Sequence, residues 1–293
     1  MHHVNKFEQA FAQFDPPADT DRLRSLTDPF FAASPPPSSD PKHIAQLYAC
    51  LDVTTLNATD TDYSVGNLVS EINDAEGTIP HLSNPAAICV YPALISTVKE
   101  VLTADGVAIA TVCGGFPAAQ TFSEIKLMEV GMAVAAGADE IDFVLNLRAF
   151  LSGDYDTCVT ELEEVRAYAP DAKLKVILET GALEEPRLIR DAAILALFSG
   201  ADFLKTSTGK GIPGATPQAV AVLCAVLRQY NQKFGLRRGL KVSGGVSSVE
   251  VALRYRALIA SLLGEEWIDP ATLRIGSSSL ARTLRRAMAQ PEP

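Results

Sequence analysis

The stretch ADFLKTSTGK at residues 201–210, taken together with GLKVSGGV at 239–246, decides the fold. Each is a short apolar run that stops at Gly, Ser or Thr, and each carries a lysine, Lys205 or Lys241, at its centre. Both read as strands, separated by a long helix-like segment. An amine desolvated beside a second cation loses its proton near neutral pH and becomes a nucleophile toward carbonyls. Schiff-base chemistry is the leading reading of the pair. For either lysine alone, a snorkelling or salt-bridged structural role would be the better one.

Working outward, six more apolar runs alternate with amphipathic segments: LYACLDVTT (47–55), AAICVYP (86–92), VAIATVCGG (107–115), EIDFVLNL (140–147), KLKVILET (173–180) and LRIGSSS (273–279). Between them lie segments such as FSEIKLMEVGMAVAAG, YDTCVTELEEVRAYA and PRLIRDAAILALFSG, whose apolar positions recur at three and four. Eight strands alternating with helices over about 230 to 250 residues predict an α/β fold, a (β/α)8 or TIM barrel. A doubly wound open sheet is the alternative architecture. No GxGxxG follows the first run, which weakens the dinucleotide-binding version of that alternative.

Chemistry in such a barrel belongs at the carboxyl ends of the strands, where the polar residues of this chain gather. Asp52 and Thr54 close the first run, Asp142 and Asn146 lie in the fourth, and Glu179 ends the fifth. Period-two alternation predicts that Asp142, Val144 and Asn146 share the face that points into the barrel. A carboxylate there needs a partner, which Lys205 or Lys241 can supply. Three loops, TSTGKGIPG, SGGVSS and IGSSSLARTLRRA, follow the sixth, seventh and eighth runs. Glycine admits an anion to backbone amides, serine donates further hydrogen bonds, and a following helix adds its dipole, so the three loops together predict a phosphate site with Lys210 as counter-charge.

Composition sets wider bounds. The 293 residues carry a net charge of -10, which argues against a nucleic-acid or acidic-membrane surface as the main partner and makes any anion site local. Five scattered cysteines and four histidines suggest neither a disulfide framework nor a metal site. The start MHHVNKFEQAF is unlike a secretion signal, and no stretch reaches the roughly 20 apolar residues of a membrane span, so a cytoplasmic protein is expected. The proline-rich stretch ending at Pro41 divides an N-terminal extension, 1–43, from a barrel domain, 44–293. Phe7, Phe11 and Phe14 fall at helical spacing in the extension and predict an aromatic stripe that docks on the barrel or on a second subunit, making a homodimer possible.

The motifs LDVTTLNATDT, AAICVYP, ADEIDFVLN, LKVILETG, ADFLKTSTGK, LKVSGGV and IGSSSL, in this order over roughly residues 45 to 285, resemble those of the deoxyribose-phosphate aldolases, class I enzymes of the (β/α)8 type. The resemblance implies reversible cleavage of 2-deoxy-D-ribose 5-phosphate to D-glyceraldehyde 3-phosphate and acetaldehyde, with no cofactor. It implies that Lys205 forms the Schiff base, that Lys241 lowers its pKa, and that Asp142 relays protons through water. Gly209, Lys210, Gly244, Gly245, Gly276, Ser278 and Ser279 look like the family's phosphate-binding positions, and Asp52 and Thr54 are expected to join them around the substrate. Ser247 stands where bacterial relatives carry a basic residue, which shifts weight onto Lys210. The implied chemistry is coherent. A lysine with a pKa of about 10.4 is free base in about one molecule in a few thousand at pH 7, and lowering it by about 3 units, roughly 4 kcal/mol, removes most of that handicap. Two other readings fit the same residues: another lysine-dependent lyase or pyridoxal-phosphate enzyme, and a non-catalytic sugar-phosphate binder.

Overall fold

Short apolar runs bounded by turn residues become the parallel staves of a closed barrel. In the computed structural model, which describes residues 6–32 and 40–289, the strands are β1 (Leu51–Thr54), β2 (Ala87–Val90), β3 (Ala108–Cys113), β4 (Glu140–Val144), β5 (Lys173–Ile177), β6 (Phe203–Lys205), β7 (Gly239–Ser243) and β8 (Leu273–Ser277). They pair in sequence order, and β1 closes against β8 in parallel register, with Leu51 opposite Ile275. Each predicted run contains one strand. The β1–β8 pairing rules out the open sheet.

Alternation along β4 sorts the two sides of the barrel wall. Ile141 and Phe143 enter the large core between strands and helices, whereas Val144 joins a small inner cluster with Ile177 and Ala119. A second inner cluster holds Leu56, Ala87, Cys89, Ala110 and Val112. The outer helices include Ser123–Ala136, Tyr155–Tyr168, Pro186–Phe198, Pro217–Phe234 and Val249–Leu263. Their ends follow local chemistry: Thr216 accepts from the backbone N–H of Ala219 with Pro217 in the first turn, and Gly235 closes that helix at φ 66°.

The described part of the extension forms helices Lys6–Phe11 and Thr20–Phe31, the second capped by Asp19, which accepts from the N–H of Arg22. The aromatic stripe docks on the chain's own barrel. Phe7 and Phe11 stand edge-on to Tyr155 at 5.5 and 5.6 Å, and Phe14 stands edge-on to Phe198 at 6.1 Å. Helix Thr20–Phe31 lies on Pro217–Phe234 and Val249–Leu263, where Gln218 donates to buried Thr27 and Arg254 donates to the carbonyl of Phe30. Most of the proline-rich stretch falls outside the described residues. Its end, Asp40–Pro41, opens helix Pro41–Ala49, with Asp40 accepting from the N–H of Lys42. Among the described residues no helix is long and apolar enough to cross a membrane.

Candidate active site

The inner face of the barrel is stacked by charge. At the foot, Arg274 from β8 makes a two-pronged contact with Glu140 from β4, at 2.9 and 2.8 Å, and lies over the ring of Phe203 at 5.5 Å. Its guanidinium also reaches Asp52 of β1 at 2.7 Å. One step higher, Lys175 of β5 contacts Glu140 at 2.6 Å, Asp142 at 2.9 Å and Asp52 at 3.1 Å. Above it, Lys205 and Lys241, opposite one another on β6 and β7, both end 2.7 Å from the same Oδ2 of Asp142. The two amines are therefore close neighbours, as the paired strands predict, and Lys241 donates a further short hydrogen bond to Asp52.

Position in this stack sets the ionisation of each group. Burial drives the pKa of Lys205 down, and the charge of Lys241 adds to it, so together they outweigh the pull of Asp142. Burial acts on Lys241 in the same direction, but there Asp142 and Asp52 prevail and hold its pKa above the usual lysine value. One amine is primed to lose its proton while its neighbour keeps one. Burial alone would raise Asp142, yet Lys175, Lys205 and Lys241 hold its carboxyl well below the ordinary range. It therefore stands as a carboxylate.

Above the lysines the barrel opens into a cavity. Its floor is Lys205 and Lys241, and Thr54, Gly209, Lys210, Gly244, Gly245, Gly276, Ser278 and Ser279 all line it, as does Ser247. The loops after β6 and β7 are locked together. Ser243 Oγ donates to the carbonyl of Ser207 at 2.6 Å, and its N–H donates to Thr206 Oγ1 at 3.0 Å. Gly214 and Gly244 meet backbone to backbone, so that a Cβ on Gly214 would sit 2.3 Å from the carbonyl oxygen of Gly244. Gly276 has a second use: a Cβ there would come within 3.2 Å of Lys241 Cε, so its bareness leaves the lysine its channel.

Two expectations change. Asp52 is fully buried beneath the cavity rather than on its wall, and its oxygens serve Lys175, Lys241 and Arg274. It is a counter-charge to the network and does not contact the ligand space. Asn146 lies past the end of β4, where it accepts from the N–H of Ala149 and donates toward Glu161 in the helix layer. The alternation that aims Asp142 inward stops at Val144. Asp142 itself lies just under the two lysines, outside the cavity lining. Glu179 takes a left-handed backbone at φ 52° and accepts from the N–H and Oγ1 of Thr208, so it shapes the loop after β6.

Sequence reading missed Lys175, Glu140 and Arg274. In KLKVI the period of two places Lys173 and Lys175 on one face, and Arg274 shares its strand face with Gly276, so the signal was present in the alternation. Ser243, Thr206 and Thr208 fall in the loops read as a phosphate site, but their part in locking the loops after β6 and β7 was not foreseen.

A family model for DeoC/LacD family aldolases matches residues 47–266. The chain belongs to the DeoC/LacD aldolase family. It is 36% identical over 253 residues to the deoxyribose-phosphate aldolase of Bos taurus, covering 83% of this chain and 80% of that one. It is 35% identical over 246 residues to the deoxyribose-phosphate aldolase of Homo sapiens, covering 80% and 77%. A solved structure of deoxyribose phosphate aldolase from Aeropyrum pernix, described as a tetramer, superposes with a TM-score of 0.63 at 24% identity, covering 93% of this chain and 99% of that one. That last likeness speaks for the barrel architecture alone.

Proposed function

We propose that this family member is a class I aldolase that cleaves 2-deoxy-D-ribose 5-phosphate reversibly to D-glyceraldehyde 3-phosphate and acetaldehyde through a Schiff base at Lys205. The observation that carries this is a desolvated lysine with depressed pKa on the floor of a cavity whose rim holds Lys210 and three glycine- and serine-bearing loops. Lys205 as free amine adds to the C1 carbonyl of the open-chain sugar, and loss of water leaves an iminium. The cationic nitrogen accepts the electron pair of the C2–C3 bond, so the step calls on no metal. The proton of the C3 hydroxyl passes, through water, toward Asp142, and C3 leaves as the aldehyde of glyceraldehyde 3-phosphate. The remaining enamine takes a proton at C2 and is hydrolysed to acetaldehyde, returning the amine.

Lys241 serves as the standing cation that keeps Lys205 unprotonated, and Gly209, Lys210, Gly244, Gly245, Gly276, Ser278 and Ser279 take the phosphate. Thr54 faces the sugar. We read the chain as one barrel unit, residues 44–293, preceded by the extension 1–43, whose described helices pack on it, and as a cytoplasmic protein, in keeping with five buried free cysteines. Incubation with acetaldehyde and borohydride tests the reading. It should leave a two-carbon adduct on Lys205, and cleavage of 2-deoxyribose 5-phosphate should be lost in Lys205→Ala. A chain that cleaves the sugar phosphate equally well as Lys205→Ala would refute it.

A further inference from the structure

Inside the barrel three carboxylates, Asp52, Glu140 and Asp142, share the space with four basic groups, Lys175, Lys205, Lys241 and Arg274. None of the seven is more than 3% exposed. With these seven ionised, one positive charge is surplus in the stack, and a low-dielectric interior penalises the surplus charge heavily. Beyond them, the buried carboxyl of Glu179 is held by Thr208 in the loop after β6, and Lys173 lies half-exposed 3.7 Å from Glu140. The network sheds that charge where it is least compensated. Among the described residues Lys175 contacts three carboxylates, Lys241 and Arg274 two each, and Lys205 one, Asp142, whose contacting oxygen it shares with Lys241.

We propose that Arg274 and Glu140, at the foot of the barrel and away from the cavity, set the proton occupancy of Lys205 by fixing the charge count of the buried network. They are positioning residues for the nucleophile's charge state, acting through Asp52 and Lys175 without touching substrate. The inference rests on Lys205 being the Schiff-base amine. The groups that face Lys205 are Asp142 from β4, Lys175 and Glu179 from β5 and its end, Lys241 from β7 and Cys89 from β2; burial raises the Cys89 thiol, which leaves it neutral. Those that face Arg274 are Asp52 from β1, Glu140 from β4, Lys175 from β5 and the Cys50 thiol, which burial pushes up to about 12 and leaves neutral too. Glu140 is faced in addition by Lys175 and by half-exposed Lys173 at 3.7 Å. Removing the charge of Arg274 leaves three basic groups against three carboxylates, a balance in which Lys205 can keep its proton. Removing the charge of Glu140 leaves four against two, which drives the proton off more readily.

The test follows adduct formation on Lys205 in the full-length protein, with acetaldehyde and excess cyanoborohydride, across about pH 5 to 10 by peptide mass mapping. Arg274→Gln should move the midpoint of the pH dependence up by about one unit and Glu140→Gln should move it down by about one, the size expected for a unit charge about 10 Å away at an effective dielectric of about 20. Arg274→Lys, which keeps the charge and loses the fork, should stay close to the parent. Opposite shifts in the two neutralised variants cannot come from loosened packing. Midpoints that stay put, or that move the same way, would overturn the inference while leaving the parent's Schiff base intact. If Arg274→Gln does not fold, the Glu140→Gln and Arg274→Lys midpoints decide. No adduct on Lys205 in the parent would overturn the Schiff-base reading and this inference together.

Discussion

Replacing Lys241 by leucine isolates the electrostatic part of the proposed chemistry. The amines of Lys205 and Lys241 share one oxygen of Asp142, each at 2.7 Å, so the charge removed lies about 5 Å from the nucleophile. At an effective dielectric of about 20, that repulsion is about 3 kcal/mol, or about two pH units. The sign is upward. Without Lys241, protonated Lys205 loses a repelling neighbour and gains an undivided carboxylate, so its pKa climbs back toward the ordinary lysine range. The acid limb of kcat/KM for 2-deoxyribose 5-phosphate should move up by about two units, with a loss on the order of 100-fold near pH 7 that narrows as the pH passes about 9. The profile is measured by coupled detection of glyceraldehyde 3-phosphate, with adduct formation on Lys205 measured in parallel. An unmoved limb, or a loss of the same size at every pH, would refute the assignment of Lys241 as the cation that controls Lys205.

Three further outcomes follow from the same geometry. Asp142→Asn leaves Lys175, Lys205 and Lys241 around a neutral amide, so cleavage should fall by about 10²- to 10⁴-fold in single-turnover assays and thermal stability should drop by about 3–5 kcal/mol at neutral pH. Gly214→Ala drives a methyl into Gly244 and should raise KM for 2-deoxyribose 5-phosphate about tenfold while leaving KM for unphosphorylated 2-deoxyribose within a factor of about two. The carboxyls of Asp52, Glu140 and Asp142 are depressed because Lys175 and its basic neighbours outweigh the effect of burial, so their stabilisation is full above the ordinary carboxylate range and fades as the pH falls below about 4. Asp52→Asn should therefore flatten the acid limb of a urea-midpoint-versus-pH curve, and an unchanged slope would contradict the network.

Much of the fold was legible because parallel strands buried on both faces leave continuous apolar runs, and all eight were found that way. The site was legible where a charged residue interrupts such a run: Asp142, Lys205 and Lys241 announce themselves against Ile, Phe, Leu and Val. Depth was not legible. Alternation tells which wall a side chain faces but not how far up a tilted, staggered strand it sits, so Asp52 was expected at the ligand and lies beneath it. Lys175 escaped notice because Lys173 stands two residues before it on the same face, at the exposed start of β5, and alternation alone does not tell which of the two is buried. Asn146 misled because the strand ends two residues earlier, a boundary that the apolar continuation through Leu145 and Leu147 conceals.

The aromatic stripe near the start of the chain has a consequence for assembly. Phe7, Phe11 and Phe14 already rest on Tyr155 and Phe198, and helix Thr20–Phe31 already occupies the flank behind β6 and β7. The polypeptide thus furnishes that side of the barrel with a resident tenant of its own. Two copies cannot bring the barrel surfaces beneath it together unless the tenant is first evicted.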